Sequence, residues 1–220
     1  MRRLIAVALA VSSIASIPLP FEEQLLHQAA AVLARVLDTP RPAIPQSVLA
    51  RARAVVVMPG VKGDWPAGSR SLDGTGVLSA RGAAREHWSP PAIVGMRGAI
   101  AAKFDIDRLD IIVIAQTARG LDALLAEPQW LPGSVMIAPG PVDEGEASDA
   151  DLVGYVRFEH YFAGVAIDQW TIESLKDANA VLYGKGYSTE SIVQGLGFFQ
   201  LRPAARAWRN TLAELFGRMS

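Results

Sequence analysis

Residues 109–115 read Leu-Asp-Ile-Ile-Val-Ile-Ala, a short and almost unbroken apolar run dominated by β-branched side chains. Branching at Cβ favours extended backbone, and so short a run without polar alternation suits a strand buried on both faces. Residues 54–58, Ala-Val-Val-Val-Met, repeat the pattern and stop at Pro59-Gly60. A sheet built on such strands needs cover on each side, so amphipathic helices must be found elsewhere in the chain.

Two helices stand out at the ends. Across residues 22–38, Leu25, Leu26, Ala29, Val32, Leu33 and Val36 recur at three- and four-residue spacing, with Glu22, Glu23, Gln28 and Arg35 mainly on the other side. Pro40, Pro42 and Pro45 end that helix and make a stiff connector. Residues 204–216 form the second, carrying Trp208, Leu212, Leu215 and Phe216. Between them, a short helix over 46–53 leads into the strand at 54–58. Asp73-Gly74 signals a hairpin ahead of a strand at 75–81. Thr117 caps a helix through 121–126, and strands follow at 134–138, 152–159 and 162–168. Helices are expected at 172–183, closed by Gly184, and at 188–193, capped by Ser188. The fold class is α+β, with a mostly antiparallel β-sheet flanked by N- and C-terminal helices.

The chemistry of the chain is sparse. There is no cysteine, which removes disulfides, thiolate nucleophiles and zinc fingers together. The histidines are His27, His87 and His160, none at metal-helix spacing. No nucleophile elbow, Walker sequence or dinucleotide-binding glycine pattern occurs, so no catalytic residue, metal or cofactor is assigned. Asp105, Asp107 and Asp110 form one acidic cluster, and Glu144, Glu146, Asp149 and Asp151 another; solvated charge is favoured over cation binding in both. With a net charge of −1, the chain lacks the excess of Lys and Arg that nucleic-acid binding demands.

The first residues have the form of an export signal. Arg2 and Arg3 precede the apolar run 4–11, and Ser13-Ile14-Ala15 matches the small-x-small cleavage pattern. The organisation expected is therefore a signal peptide at 1–15, an N-terminal helix and Pro-rich connector at 16–43, and a domain with a C-terminal helical extension at 44–220.

Three segments in order carry a family resemblance. IPQSVLARARAVVVMPGVK (44–62) is a short helix feeding a strand, and GTGVLSARGAAREHWSPP (74–91) contains strand, basic turn and Trp-Ser-x-Pro. In the third, Phe162-Ala163-Gly164-Val165 is followed by Asp177-Ala178-Asn179 and Tyr183-Gly184. Together they resemble the SYLF domain, found in bacterial exported proteins and eukaryotic membrane-trafficking proteins. The resemblance spans about residues 44–194 and leaves the C-terminal helix outside. It departs from the family in lacking a glycine-rich run at 67–73 and in placing the strand after Trp-Ser-x-Pro at 100–106, without glycine. It implies lipid binding, with phosphoinositides as ligands of eukaryotic members and actin as a partner of some fungal ones.

For an exported protein the implied partners reduce to anionic membrane lipids. The rival reading is a cell-envelope structural or adaptor protein that binds another protein. Arg51, Arg53, Lys62 and Arg70 gather in sequence around the 59–68 turn, where Trp65 offers a side chain for insertion among headgroups. These five residues are the candidate lipid site. Arg202, Arg206, Arg209 and Arg218 on the C-terminal helix are next in line. The export reading predicts a mature chain beginning near Ser16 and located in the periplasm or outside the cell. Mass spectrometry of protein from the native host should find it, and intact Met1 in a cytoplasmic fraction would refute export.

Overall fold

The computed structural model describes residues 19–37, 44–64, 71–82, 87–100, 108–126, 137–139, 150–158, 161–164, 167–197 and 199–217. The helices are α1 (Phe21–Leu37), α2 (Gln46–Arg51), α3 (Ala118–Leu125), α4 (Lys176–Tyr183), α5 (Thr189–Val193) and α6 (Pro203–Gly217). The strands are β1 (Ala54–Asp64), β2 (Ser71–Ala80), β3 (Ala92–Ile100), β4 (Arg108–Ala115), β5 (Ile137–Pro139), β6 (Leu152–Phe158), β7 (Tyr161–Gly164) and β8 (Ile167–Ser174). One sheet runs in the order β5-β6-β4-β1-β2-β3-β8, antiparallel except for the β5–β6 pair. The α+β class holds.

The ends of this sheet meet. β7 pairs with β6, near one edge, while β8 pairs with β3, at the other. Laid flat, β7 and β8 would lie six strand spacings apart, about 29 Å. Yet Gly164 and Ile167 are three Cα steps apart, at most about 11 Å. The sheet must therefore curl until β7 at one edge and β8 at the other come within that distance.

Curling gives the sheet an inside and an outside, and the residues alternate accordingly. Val56, Met58, Leu78, Val94, Ile111 and Trp170 share one core with Leu124 of α3 and Ile192 of α5. Val55, Val57, Val77, Ile93, Ile112 and Tyr155 face the other core, covered by α1 and α6. β1 and β4 thus bury both faces, as their uninterrupted apolar runs require. Gly76 permits the tight inner curve: a Cβ there would lie 2.5 Å from Met58 Cγ and 2.8 Å from the Val57 carbonyl oxygen.

Several expectations are corrected. β1 does not stop at Pro59-Gly60 but continues to Asp64. The register slips there, Gly60 takes φ 63°, and its N–H donates to Asp110 Oδ1 at 2.9 Å. Asp110 also pairs with Arg157 at 3.1 Å, so this carboxylate holds a bulge, while Asp105 and Asp107 lie outside the described residues. Asp73-Gly74 sits within β2 rather than at a hairpin. The strand after Trp-Ser-x-Pro is Ala92–Ile100, and it carries Gly95 and Gly98. Residues 172–174 finish β8, so the helix expected from 172 begins at Lys176.

The resemblance motifs serve the architecture. Asn179, 1% exposed, accepts from the Ile93 N–H at 2.7 Å and donates to the Ile93 carbonyl at 3.0 Å. Its amide takes over the β3 hydrogen bonds where β8 ends, tying α4 to the sheet. The Tyr183 hydroxyl donates to the Pro91 carbonyl at 2.6 Å, and Gly184 closes α4 at φ 86°. In Trp-Ser-x-Pro, Ser89 Oγ accepts from the Ala80 N–H at 3.1 Å. Gly164 ends β7 opposite Tyr155. Replacing Asn179 with Ala leaves the Ile93 N–H buried without its acceptor. The cost should be about 1–3 kcal/mol, and an unshifted denaturant midpoint would show that the amide latch contributes nothing.

Candidate functional site

The structure separates Arg51 and Arg53 of the predicted lipid patch from its Lys62. Arg51 closes α2 and Arg53 precedes β1, both half-buried with Nε shielded from solvent. The Arg53 backbone is fixed between strands, its N–H donating to the Ala115 carbonyl and its own carbonyl accepting from Arg81, each at 2.7 Å. Lys62 is exposed near the far end of β1, roughly 25–30 Å away at strand rise. It stands between Asp73 of β2 and Arg108 of β4. Pro59-Gly60 is a bulge inside a strand rather than a turn that folds back, so it does not bring Lys62 to the arginines. Trp65 and Arg70 lie outside the described residues.

The C-terminal helix supplies a different surface. The stripe Ala204, Ala205, Trp208, Leu212, Leu215 and Phe216 is buried against the sheet and α1. Trp208 Nε1 donates to Ser79 Oγ at 2.9 Å, which sets the helix's rotation. The opposite side then carries Arg202 and Arg206 exposed, Arg209 half-buried, and Asn210 and Ala213 exposed.

Along that side runs a groove of about 360 Å³, lined by His87, Trp88, Arg206, Arg209, Asn210 and Ala213. Its fixed wall is Trp88, which lies 4.7 Å from the Phe216 ring and beneath the Arg81 guanidinium at 5.2 Å. Arg81 also donates to the Phe216 carbonyl at 2.8 Å, so cation–π and hydrogen-bond contacts lock the Trp88 wall to the end of α6. Arg209 Nε is buried without a hydrogen-bond partner. Burial pushes the Tyr183 phenol far up, and the neighbouring Arg209 charge opposes that rise. Among the described residues, the groove lining holds two guanidiniums and one imidazole.

One corner of the molecule is apolar and exposed. Leu19 and Phe21 at the start of α1, and Val181 on α4, are 47%, 58% and 43% exposed. Arg202 joins them: its Nη1 pairs with Glu23 Oε1 at 2.9 Å, and its Nη2 donates to the Val181 carbonyl at 3.1 Å. The start of α6 therefore adjoins this corner, and Arg206 and Arg209 follow one and two turns along.

The remaining titratable groups are engaged structurally or stand apart. Asp151 is buried and accepts from Arg119 Nη2 at 2.6 Å and from the Thr117 hydroxyl, and its hydrogen bond to Arg119, followed by its charge, raises the Arg119 pKa. Among the described residues no three His, Asp or Glu side chains converge as metal ligands. His27 is exposed on α1, and His160 lies outside the described residues. Sequence reading had placed Arg206 and Arg209 second and had missed His87, Asn210, Leu19, Phe21 and Val181. The three- and four-residue spacing of Arg206, Arg209 and Asn210 was the available signal. The opposite wall is too distant in sequence to leave one.

Comparison with known proteins agrees with this architecture. Residues 97–215 match the Ysc84 family model, described as Las17-binding protein actin regulator. The match takes in α6, which therefore belongs to the family region and is no accessory to it. LAS seventeen-binding protein 3 of Saccharomyces cerevisiae is 27% identical over 165 residues, covering 69% of this chain and 35% of that protein. Protein YSC84 of the same yeast is 25% identical over 162 residues, covering 69% and 34%. The chain thus spans about a third of the length of the curated relatives it matches. With more than half of its residues inside the family model, and the motif residues Asn179, Tyr183 and Gly184 fixed in the fold, the chain belongs to the Ysc84, or SYLF, domain family.

Proposed function

We propose that the protein binds anionic lipid peripherally, as an exported protein acting at an envelope membrane. The observation that carries this reading is the exposed apolar corner of Leu19, Phe21 and Val181 set against the cationic side of α6. Peripheral contact needs both apolar insertion and attraction to anionic headgroups, since neither weak contribution alone holds a protein at an interface. Arg202 sits between the two surfaces, and its pairing with Glu23 fixes the corner's shape.

The patch first expected around residues 59–68 is set aside as one continuous surface, because Arg53 and Lys62 stand at opposite ends of β1. The helices contribute no membrane-spanning segment among the described residues: none is long and apolar enough to cross a bilayer. The name of one yeast relative, LAS seventeen-binding protein 3, describes binding to LAS seventeen. A protein partner at the same apolar corner is the outcome favoured if lipid fails.

The test is co-sedimentation with vesicles of phosphatidylcholine containing phosphatidylglycerol. Phe21→Ser with Val181→Ser removes apolar surface that is already exposed, so thermal stability should stay near wild type. Vesicle affinity should fall about tenfold or more. Wild-type protein that fails to sediment with any anionic vesicle would overturn the reading, and so would unchanged affinity in the double variant.

A further inference from the structure

We infer that the cleft between α3 and α5, beside strand β8, receives one aliphatic side chain from an extended, basic segment of another protein. Val94, Leu124, Leu125 and Ile172 form its apolar walls, and Ser174, Ser188 and Thr189 bring hydroxyls to it. Val94, Leu124 and Ile172 belong to the inner core, so the cleft opens on the side closed by α3 and α5, apart from the core that α1 and α6 cover.

Size and polarity decide what enters. A dry apolar cavity of about 150 Å³ takes a benzene ring. This cleft offers about 70 Å³, which suits a small branched alkyl group and excludes an aromatic ring. Thr189 Oγ1 donates to Ser174 Oγ at 2.6 Å, and the Ser191 N–H donates to Ser188 Oγ at 3.1 Å. Each serine thus accepts one bond and keeps its own hydroxyl proton to give, with no acceptor for it among the described residues. The peptide carbonyl beside an aliphatic side chain is such an acceptor.

Strand β8 can hold a segment of that kind. It ends the strand order and, among the described residues, pairs with β3 alone. The second edge of a terminal strand offers backbone N–H and C=O groups to an extended peptide, whose alternate side chains then enter pockets. Trp170 and Ile172 face inward, so an added residue beside Ile172 can turn its side chain into the cleft. Its two sequence neighbours then lie on the face of Glu173, which packs over Gly95, where a Cβ would lie 3.1 Å from Glu173 Cγ. β8 contains Asp168 and Glu173 and neither Lys nor Arg, and Glu190 adds a carboxylate at the cleft. Opposite charges on adjacent strands stabilise pairing, so basic residues should flank the aliphatic one.

The inference is independent of the lipid-binding reading. Its probe is acetyl-Thr-Lys-Leu-Lys-Thr-amide, titrated into the full chain while the backbone amides of residues 170–174 are followed by NMR. Saturable shifts are expected. Replacing the peptide's Leu with Phe or Asp should weaken binding about tenfold or more, the scale of burying one leucine side chain. A peptide N-methylated at Lys, Leu and Lys keeps its side chains, cannot donate to a strand and should not bind. In the protein, Ala126→Phe fills the cleft from an exposed position at the end of α3. It should abolish peptide binding while thermal stability and sedimentation with phosphatidylglycerol vesicles stay at wild-type level. No saturable response to the Leu peptide would overturn the site, as would equal affinity for the Leu, Phe and Asp peptides. Binding that survives either N-methylation or Ala126→Phe would do the same. A response of these amides to hexanol but not to the peptide would also overturn it, assigning the cleft to an alkyl chain instead.

Discussion

The short link between Gly164 and Ile167 is the constraint on which the rest of the structure depends. It joins a strand paired with β6 to one paired with β3, across a sheet that laid flat would separate them by about 29 Å. Curling divides the apolar side chains into two populations. The inner set closes with α3 and α5, and the outer set must be roofed by α1 and α6. The glycine at position 76 follows from the same demand, since any Cβ there would meet Met58 on the crowded inner face. Helix placement is thus a consequence of closure rather than a separate design.

How much of this was legible in the sequence depends on whether the signal was local. β1 and β4 were readable because both faces of each strand are apolar, leaving no alternation to misread. α1 and α6 were readable from apolar residues at helical spacing. β3 was lost because Gly95, Arg97 and Gly98 break its pattern, and only pairing with β2 and β8 makes it a strand. Residues 172–174 were read as helix because Ile172 continues an apolar rhythm into α4, yet Trp170 and Ile172 alternate inward as strand residues. In each miss, contacts distant in sequence outweighed the local signal.

The candidate site was less legible for the same reason carried further. Basic residues near one another in sequence suggested a patch, and an extended strand then drew Arg53 and Lys62 apart. The groove brings His87 and Trp88 onto a helix that begins at residue 203, which no local pattern encodes. The motif residues offered no shortcut. Asn179, Ser89 and Tyr183 satisfy backbone groups at buried junctions, so their polarity is consumed by the fold.

That division of labour bears on how members of such a family can differ in function. Buried amides and hydroxyls that pair with strand ends are hard to change, because losing one partner strands the other without solvent. The outward side of α6 is under no such restraint, since its packing stripe and the Trp208–Ser79 hydrogen bond already fix where the helix lies and how it is rotated. Arg206, Asn210 and Ala213 are exposed on that fixed support, and their chemistry can vary without disturbing either core. Arg209 is the exception. It is half-buried, its Nε lacks a partner, and its charge acts on Tyr183, a residue that ties α4 to the sheet. A cation held in that position adds to local repulsion with Arg206 and forgoes a hydrogen bond. Arg209 is thus bound up with the fold in a way that its exposed neighbours on α6 are not.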